Sequence, residues 1–244
     1  MIVSSRAQGS RYVTQADHAR FAADLLRMFR LPELVGHPRR ETLLRAVAEH
    51  DNGWWEADSS PRLAPGGGAA LDFRAFPADL RQEVWHRGVE RFATESPYLA
   101  ALVAAHALRL SQRWRDEPIW ADFRGELAGR QEELLEAAGE SASALAEDDR
   151  WMALADELSL AVCASESGVV AFPGWRLELQ ETPGRAVGEG PMAVVLEPFP
   201  LAGVTVFELS YRWLSAETFP SAAALGLALA TAPWRRLRVR FAPF

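Results

Sequence analysis

Near Ser165 the apolar residues of this chain change period. Upstream they recur every three or four positions, the spacing of a helix face. Downstream they alternate, the spacing of a strand with one buried side. In "VTQADHARFAADLLRMFR" the stripe runs Phe21, Ala22, Leu25 and Phe29. Thr14 stands as N-cap with Asp17 three positions on, a capping-box-like start, and Pro32 stops the helix. "RRETLLRAVAEHD" sets Leu43, Leu44 and Val47 on one face and ends at Asn52-Gly53, a stop signal. "PADLRQEVWHRGVERFA" and "SPYLAALVAAHALRLSQRW" open on Pro77 and Pro97, residues suited to a first helical turn. "ADFRGELAGRQEELLEAAGE" reads as a charged surface helix and "ALAEDDRWMALADELSLAVCAS" as the last long one.

The C-terminal third looks different. In "GWRLELQET", Trp175, Leu177 and Leu179 oppose Arg176, Glu178 and Gln180. In "RRLRVRF", Leu237, Val239 and Phe241 oppose Arg236, Arg238 and Arg240. "MAVVLEP" and "VTVFELSYRWL" read as strands too, and "SAAALGLALATA" as a helix. "MIV" and "RYVT" near the N-terminus are candidates to join the same sheet. The expected fold is mainly α: a bundle of about five to seven helices over residues 1–166, with a small β-rich part over residues 167–244, an antiparallel sheet plus one helix, packed on it. A chain of 244 residues that is 49% apolar has ample material for the core.

Charge and cysteine usage narrow the setting. A formal net charge of −7 argues against a nucleic-acid partner, which calls for a basic face. One cysteine, Cys163, excludes an internal disulfide and fits a reducing compartment. "MIVSSRAQGS" lacks the apolar run of a signal peptide, and no stretch approaches the roughly 20 apolar residues that span a bilayer. The expectation is a cytoplasmic protein with a small-molecule ligand and no membrane partner. An open edge of the C-terminal sheet is where two copies can pair as a homodimer.

Polar residues interrupt the apolar stripes at four places. His50 continues the stripe of Leu43 and Val47, and Asp51 follows it, about 100° further round a helix, so both can lean toward one ion. His18 shares a face with Phe21, Ala22 and Leu25. His106 shares one with Leu99, Leu102, Val103 and Leu110. Asp156 shares one with Met152, Ser159 and Cys163. A buried polar group without a partner is costly, so these residues need each other or a ligand. Mixed imidazole and carboxylate donors suit a divalent ion such as Mn²⁺, Fe²⁺, Mg²⁺ or Zn²⁺.

"VTQADHARFAADL", "AVAEHDNGWWEAD", "YLAALVAAHALRL" and "LADELSLAVC" together resemble an uncharacterised bacterial family, a domain of unknown function marked by a Q-x-D-H helix, an H-D-x-G-W turn and a D-x-LSL segment. The order of a histidine, an adjacent His-Asp pair and a late Asp also resembles the HD-domain metal-dependent phosphohydrolases. That second resemblance implies an HD-like helical core in which His18, His50, Asp51 and Asp156 ligate one ion. His106 then corresponds to an extra histidine of binuclear relatives or lines the cavity, and His86 is a further candidate.

The chemistry that follows is metal-dependent hydrolysis of a small phosphorylated or nucleotide substrate. Asp51 would bridge metal and water, and a histidine left off the metal, His106, would protonate the leaving oxygen. Arg109, one turn after His106, is the candidate phosphate ligand, with Arg20, Arg39, Arg40 and Arg87 as others. Trp54 and Trp55 would wall a substrate ring, and "APGGGAA" would form a mobile surface loop or lid. Against each stands a plainer role: hydrogen-bonded core histidine, helix-start Asp17, solvated Glu49 and Glu56, core tryptophan, surface arginine. Two further readings of the whole set remain open, a non-catalytic ligand-binding or sensing module and a purely structural polar network.

Overall fold

The strands marked by alternation do form, but they do not stand apart from the helices. The computed structural model describes residues 1–6, 8–164, 167–182 and 190–243. Its chain order begins with β1 (Ile2–Arg6), β2 (Gly9–Val13), α1 (Gln15–Met28), α2 (Pro32–Val35) and α3 (Arg40–Glu49). A 3₁₀ turn, Asn52–Trp54, leads into α4 (Trp55–Ser59), followed by α5 (Ala78–Glu90), α6 (Pro97–Ser111), α7 (Ile119–Ala138) and α8 (Ala142–Ala164). Then come β3 (Ser167–Phe172), β4 (Trp175–Glu181), β5 (Met192–Glu197), β6 (Thr205–Leu214), α9 (Ala222–Thr231) and β7 (Trp234–Ala242).

All seven strands belong to one sheet, ordered β1-β2-β6-β7-β5-β4-β3. Every pairing is antiparallel except β5 with β7, which run parallel with Met192 opposite Val239. At 53% helix and 21% strand in a mixed seven-stranded sheet, the architecture is α/β. This corrects the mainly α, HD-like bundle with a small antiparallel appendage. The reason is long-range pairing: β2 adds to β6 through Ser10–Leu214 and Tyr12–Arg212, carrying the N-terminal hairpin into the C-terminal sheet. Local periodicity marks a strand but holds no information about its neighbour. The boundary expected at 166/167 adjoins residues 165–166, outside the described residues.

Alternation along the strands decides which side is covered. Leu177, Val194, Leu209, Tyr211, Val239 and Phe241 are buried and join the helices in one apolar core. The other face is charged along β7 and is capped near β2 and β6 by α9, where Tyr12, Leu214, Leu225 and Leu229 form a second, smaller cluster. Helix α1 packs on β6, with the Phe21 ring edge-on to Phe207 at 6.2 Å, and also meets α3 and α8. Helices α3 and α8 in turn meet α6, and α7 packs on α6. The helix expected to lie on the surface, α7, therefore buries Trp120, Phe123, Leu127, Leu134 and Leu135.

Candidate metal centre

Four elements, α1, α3 with the turn after it, α6 and α8, each deliver one part of a buried polar cluster. Thr14 caps α1 by accepting from the Asp17 backbone N–H, which fixes the first turn and the place of His18 in it. His50 is the C-cap of α3, just past its last residue Glu49, and Asp51 is the N-cap of the 3₁₀ turn. The Asn52 side-chain amide donates to the Glu49 and Gly88 carbonyls at 2.8 and 3.0 Å, clamping that turn against α5. Gly53 does not serve as a left-handed helix stop, since its φ is not positive. A Cβ at this position would lie 2.0 Å from the Val84 carbonyl oxygen, so glycine is what lets the turn approach α5. His106 comes from α6 and Asp156 from α8.

The side chains meet. His18 Nε2 lies 3.1 Å from Asp156 Oδ1 and 3.8 Å from Asp51 Oδ2. His50 Nε2 lies 3.5 Å from Asp51 Oδ2 and 3.6 Å from Asp156 Oδ1. The four donors thus form a closed ring, imidazole alternating with carboxylate. Ligands on a metal with bonds of about 2.1 Å stand roughly 3 to 3.5 Å apart at the edges of a tetrahedron or octahedron, so the ring is close to that size. All five residues are at least nine-tenths buried, with His18 at 0% and Asp51, the most exposed, at 7%. These buried His/Asp groups can hold a metal ion.

Partners outside the ring set the tautomers. The His50 Nδ1–H donates to the Val47 carbonyl at 2.7 Å, leaving the Nε2 lone pair facing the ring without any hydrogen bond. Ser159 Oγ donates to the His18 carbonyl at 2.8 Å and accepts from His18 Nδ1–H at 2.7 Å, while His18 Nε2 hydrogen-bonds to Asp156 Oδ1 at 3.1 Å, a contact that a bound ion would take over. His106 is the reverse. Arg109, which can only donate, reaches His106 Nδ1 at 3.1 Å, so the proton of the neutral ring sits on Nε2. That N–H stands 3.7 Å from Asp51 Oδ1, too far for a hydrogen bond, and has no partner. With an ion bound, His18 and His50 would turn their Nε2 lone pairs to it, while His106 would keep its Nε2–H.

Without an ion, the electrostatics favour an added proton on His50 and a neutral His106. Burial alone would lift both carboxyls. The His50, His106 and His18 imidazoles instead hold Asp51 below its usual range, and the same three hold Asp156 well below it. Burial pulls the His50 imidazole down, but the Asp51 and Asp156 carboxylates outweigh it and raise it to about 9. His106 is lowered, by burial first and by its His50 and Arg109 neighbours, against the pull of Asp51.

Asp51 and Asp156 also line a cavity of about 170 Å³, together with Trp54, Arg81, Trp85 and Trp114 among others. Trp54 stands edge-on to Phe73 and Phe76 at 6.2 and 5.0 Å, whereas Trp55 is 53% exposed and lines a different pocket. Arg109 holds His106 and Asp149 and does not line the cavity. Arg20 pairs with Asp17, Arg39 with Asp148, Arg40 with the Arg27 carbonyl, and Arg87 with Glu56. His86 packs on Phe123, and His37 faces Asp148, both outside the cluster. "APGGGAA" is tied down: Leu63 bridges Ala70, and Gly68 accepts from the Phe219 N–H at 2.7 Å. Ser159, Arg81 and Trp85 were not singled out from sequence. Ser159 alone left a signal there, sharing the helix face of Asp156 one turn on.

No curated protein and no solved structure matches the chain. The resemblance to HD-domain phosphohydrolases thus stands without support, while the resemblance to an uncharacterised family is borne out. A family match covers residues 1–215, which include the whole His/Asp cluster and the cavity above it, and by that match the chain belongs to the family described as Protein of unknown function (DUF3891).

Proposed function

We propose that the protein is a metal-dependent hydrolase acting on a small phosphorylated substrate, with His18, His50, Asp51 and Asp156 holding one divalent ion. The observation that carries this reading is the alternating ring of four donors under a cavity that two of them line. The ion, when bound, supplies Lewis acidity to a phosphoryl oxygen and makes water more acidic. In hydrolysis water adds to phosphorus, the bond to the leaving oxygen breaks, and that oxygen takes up a proton. Asp51, ionised and in contact with the cavity, accepts the proton of the attacking water and returns it to the leaving oxygen. His106 does not line the cavity, and its Nε2–H, 3.7 Å from Asp51 Oδ1 and held in that tautomer by Arg109, favours the ionised Asp51 carboxylate through space without bonding to it. The mixed N/O donor set suits Mn²⁺, Fe²⁺ or Zn²⁺ better than Mg²⁺, which favours oxygen and retained water.

Elemental analysis of protein purified without chelator tests the first half of the reading. About one transition-metal ion per chain is expected, absent from His50→Ala and Asp51→Ala. A panel of phosphomonoesters and nucleotides with Mn²⁺ tests the second half. If metal is retained and wild type and both variants are equally inert, the protein is a binding or sensing module instead.

A further inference from the structure

The cavity beside Asp51 and Asp156 is also lined by Arg81 and Trp85, each with a buried N–H that has no partner among the described residues. Arg81 is 6% exposed, and its Nη2 is fully engaged by the carbonyls of Phe73, Arg74 and Phe76 at 3.1 to 3.2 Å. Those bonds tie the guanidinium to the 73–76 turn, but its Nε is buried with no partner. Trp114 lies under it, 4.4 Å from the guanidinium carbon to the ring centroid, and fixes its plane. Trp85, 4% exposed, lines the same cavity with its indole N–H also unpartnered. Arg113 lines it from the exposed side, without a hydrogen bond or close ion pair among the described residues, its charge reaching the Glu157 carboxyl as well. Arg74 is excluded from the set because Asp72 already grips it at 2.7 and 3.2 Å.

A structural tie explains Nη2 of Arg81 but not its bare Nε, and no packing role explains two guanidinium groups sharing one small cavity. Burial and the neighbouring Arg113 charge both push the Arg81 group toward losing its proton, the sign of like charges close together. An anion between them removes that repulsion and satisfies the open donors. We infer that Arg81 Nε, Trp85 Nε1 and Arg113 form a phosphoryl-binding wall, which holds the dianionic end of the substrate against the side of the cavity lined by Asp51 and Asp156. Two positive charges match a dianion better than a carboxylate, and about 170 Å³ admits a phosphoryl group with little else. The inference rests on the metal-centre reading for the direction in which the group faces, while anion binding itself does not need the ion.

Calorimetric titration of inorganic phosphate into the full chain, once chelator-treated and once loaded with Mn²⁺, is the test. Phosphate is expected to bind both forms, at least about tenfold tighter than acetate, and to perturb tryptophan fluorescence through Trp85 and Trp114. Arg113→Ala, at an exposed position, and Arg81→Lys, which keeps one donor and the charge, should each weaken binding about tenfold or more, the loss of one charge-assisted hydrogen bond, with metal content unchanged. Phosphate binding that is absent from both forms, indifferent to both substitutions or matched by acetate overturns the wall. Binding seen in the Mn²⁺ form alone and indifferent to Arg113→Ala overturns the wall while leaving the metal centre standing. Binding to a protein that retains no metal, but sensitive to Arg113→Ala, supports the wall and removes the metal reading.

Discussion

Ser159 meets His18 twice, donating to its carbonyl and accepting from its ring, and so orients a ligand without being one. Ser159→Ala is expected to lower divalent-metal affinity by roughly 10- to 100-fold while leaving the fold intact, read by competition with a chelating dye. Charge at the same centre gives the metal-free protein a pH signature. Asp156 is held well below its ordinary value, so its stabilising contribution exists above the range of an unfolded carboxyl and is lost as pH falls through its folded value. His50, raised from 6.5 to about 9, contributes below its unfolded value and loses that contribution as pH rises through the folded one. The chelated protein should therefore melt highest near pH 5 to 6 and lose Tm between about pH 6.5 and 9. Saturating metal, which needs neutral imidazoles, should abolish that alkaline loss. A flat profile in chelator would contradict the charge arrangement. Cys163, whose thiol burial pushes up to about 12, should ignore aromatic disulfide reagents at pH 8 until the protein is unfolded.

At the level of the element, the His-Asp turn matters more than the helix it ends. "HDNGWW" reads as a helix stop, and the helix does stop, at Glu49. What the local pattern does not reveal is that Gly53 lies flat on α5, that Asn52 bridges to Gly88, and that Arg87 and Arg91 grip the turn's carbonyls. Gly53→Ala is expected to destabilise by about 2–4 kcal/mol, because either the turn or α5 must move. It should also weaken metal binding, since Asp51 rides on that turn. Thermal melting and dye competition on the same variant separate the two effects. A second tie joins α3, α6 and α8: Asp148, 0% exposed, accepts from Tyr98 at 2.7 Å and Arg39 at 2.9 Å, with His37 Nε2 2.9 Å away. Asp148→Ala removes the acceptor shared by Tyr98, Arg39 and His37 and should cost about 3 kcal/mol in denaturant unfolding, with metal affinity little changed.

Across the whole molecule, the N-terminal hairpin and the far end of the sheet are joined electrostatically as well as by strand pairing. Arg11 on β2 is wholly buried and pairs with Glu181 at the end of β4, stacking also 5.2 Å from the Tyr211 ring. Glu181→Ala should lower stability by about 3 kcal/mol, because it strands a buried guanidinium. Chemical denaturation measures this. Helix positions, the period-two strands and the identity of the four ring donors were all legible in the sequence. Amphipathic spacing and an ionisable residue on an apolar face are local properties, and burial of such a residue demands a partner wherever the chain goes. The meeting of His18, His50, Asp51, His106 and Asp156 depended on how α1, α3, α6 and α8 pack. So did the tautomers, which Val47, Ser159 and Arg109 assign. The arginine wall was hidden for a related reason: Arg81 looks like any of many surface arginines until the 73–76 turn closes over it. Sheet membership was hidden most completely, since β2 and β6 are about two hundred residues apart and β3 carries no clean alternation. Local pattern alone marked the element type and most of the apolar inward positions, α7 excepted. Tertiary packing alone decided which of them face one another, because strand pairing and helix contact are set by the burial of distant surfaces against each other and leave no periodic trace in either segment.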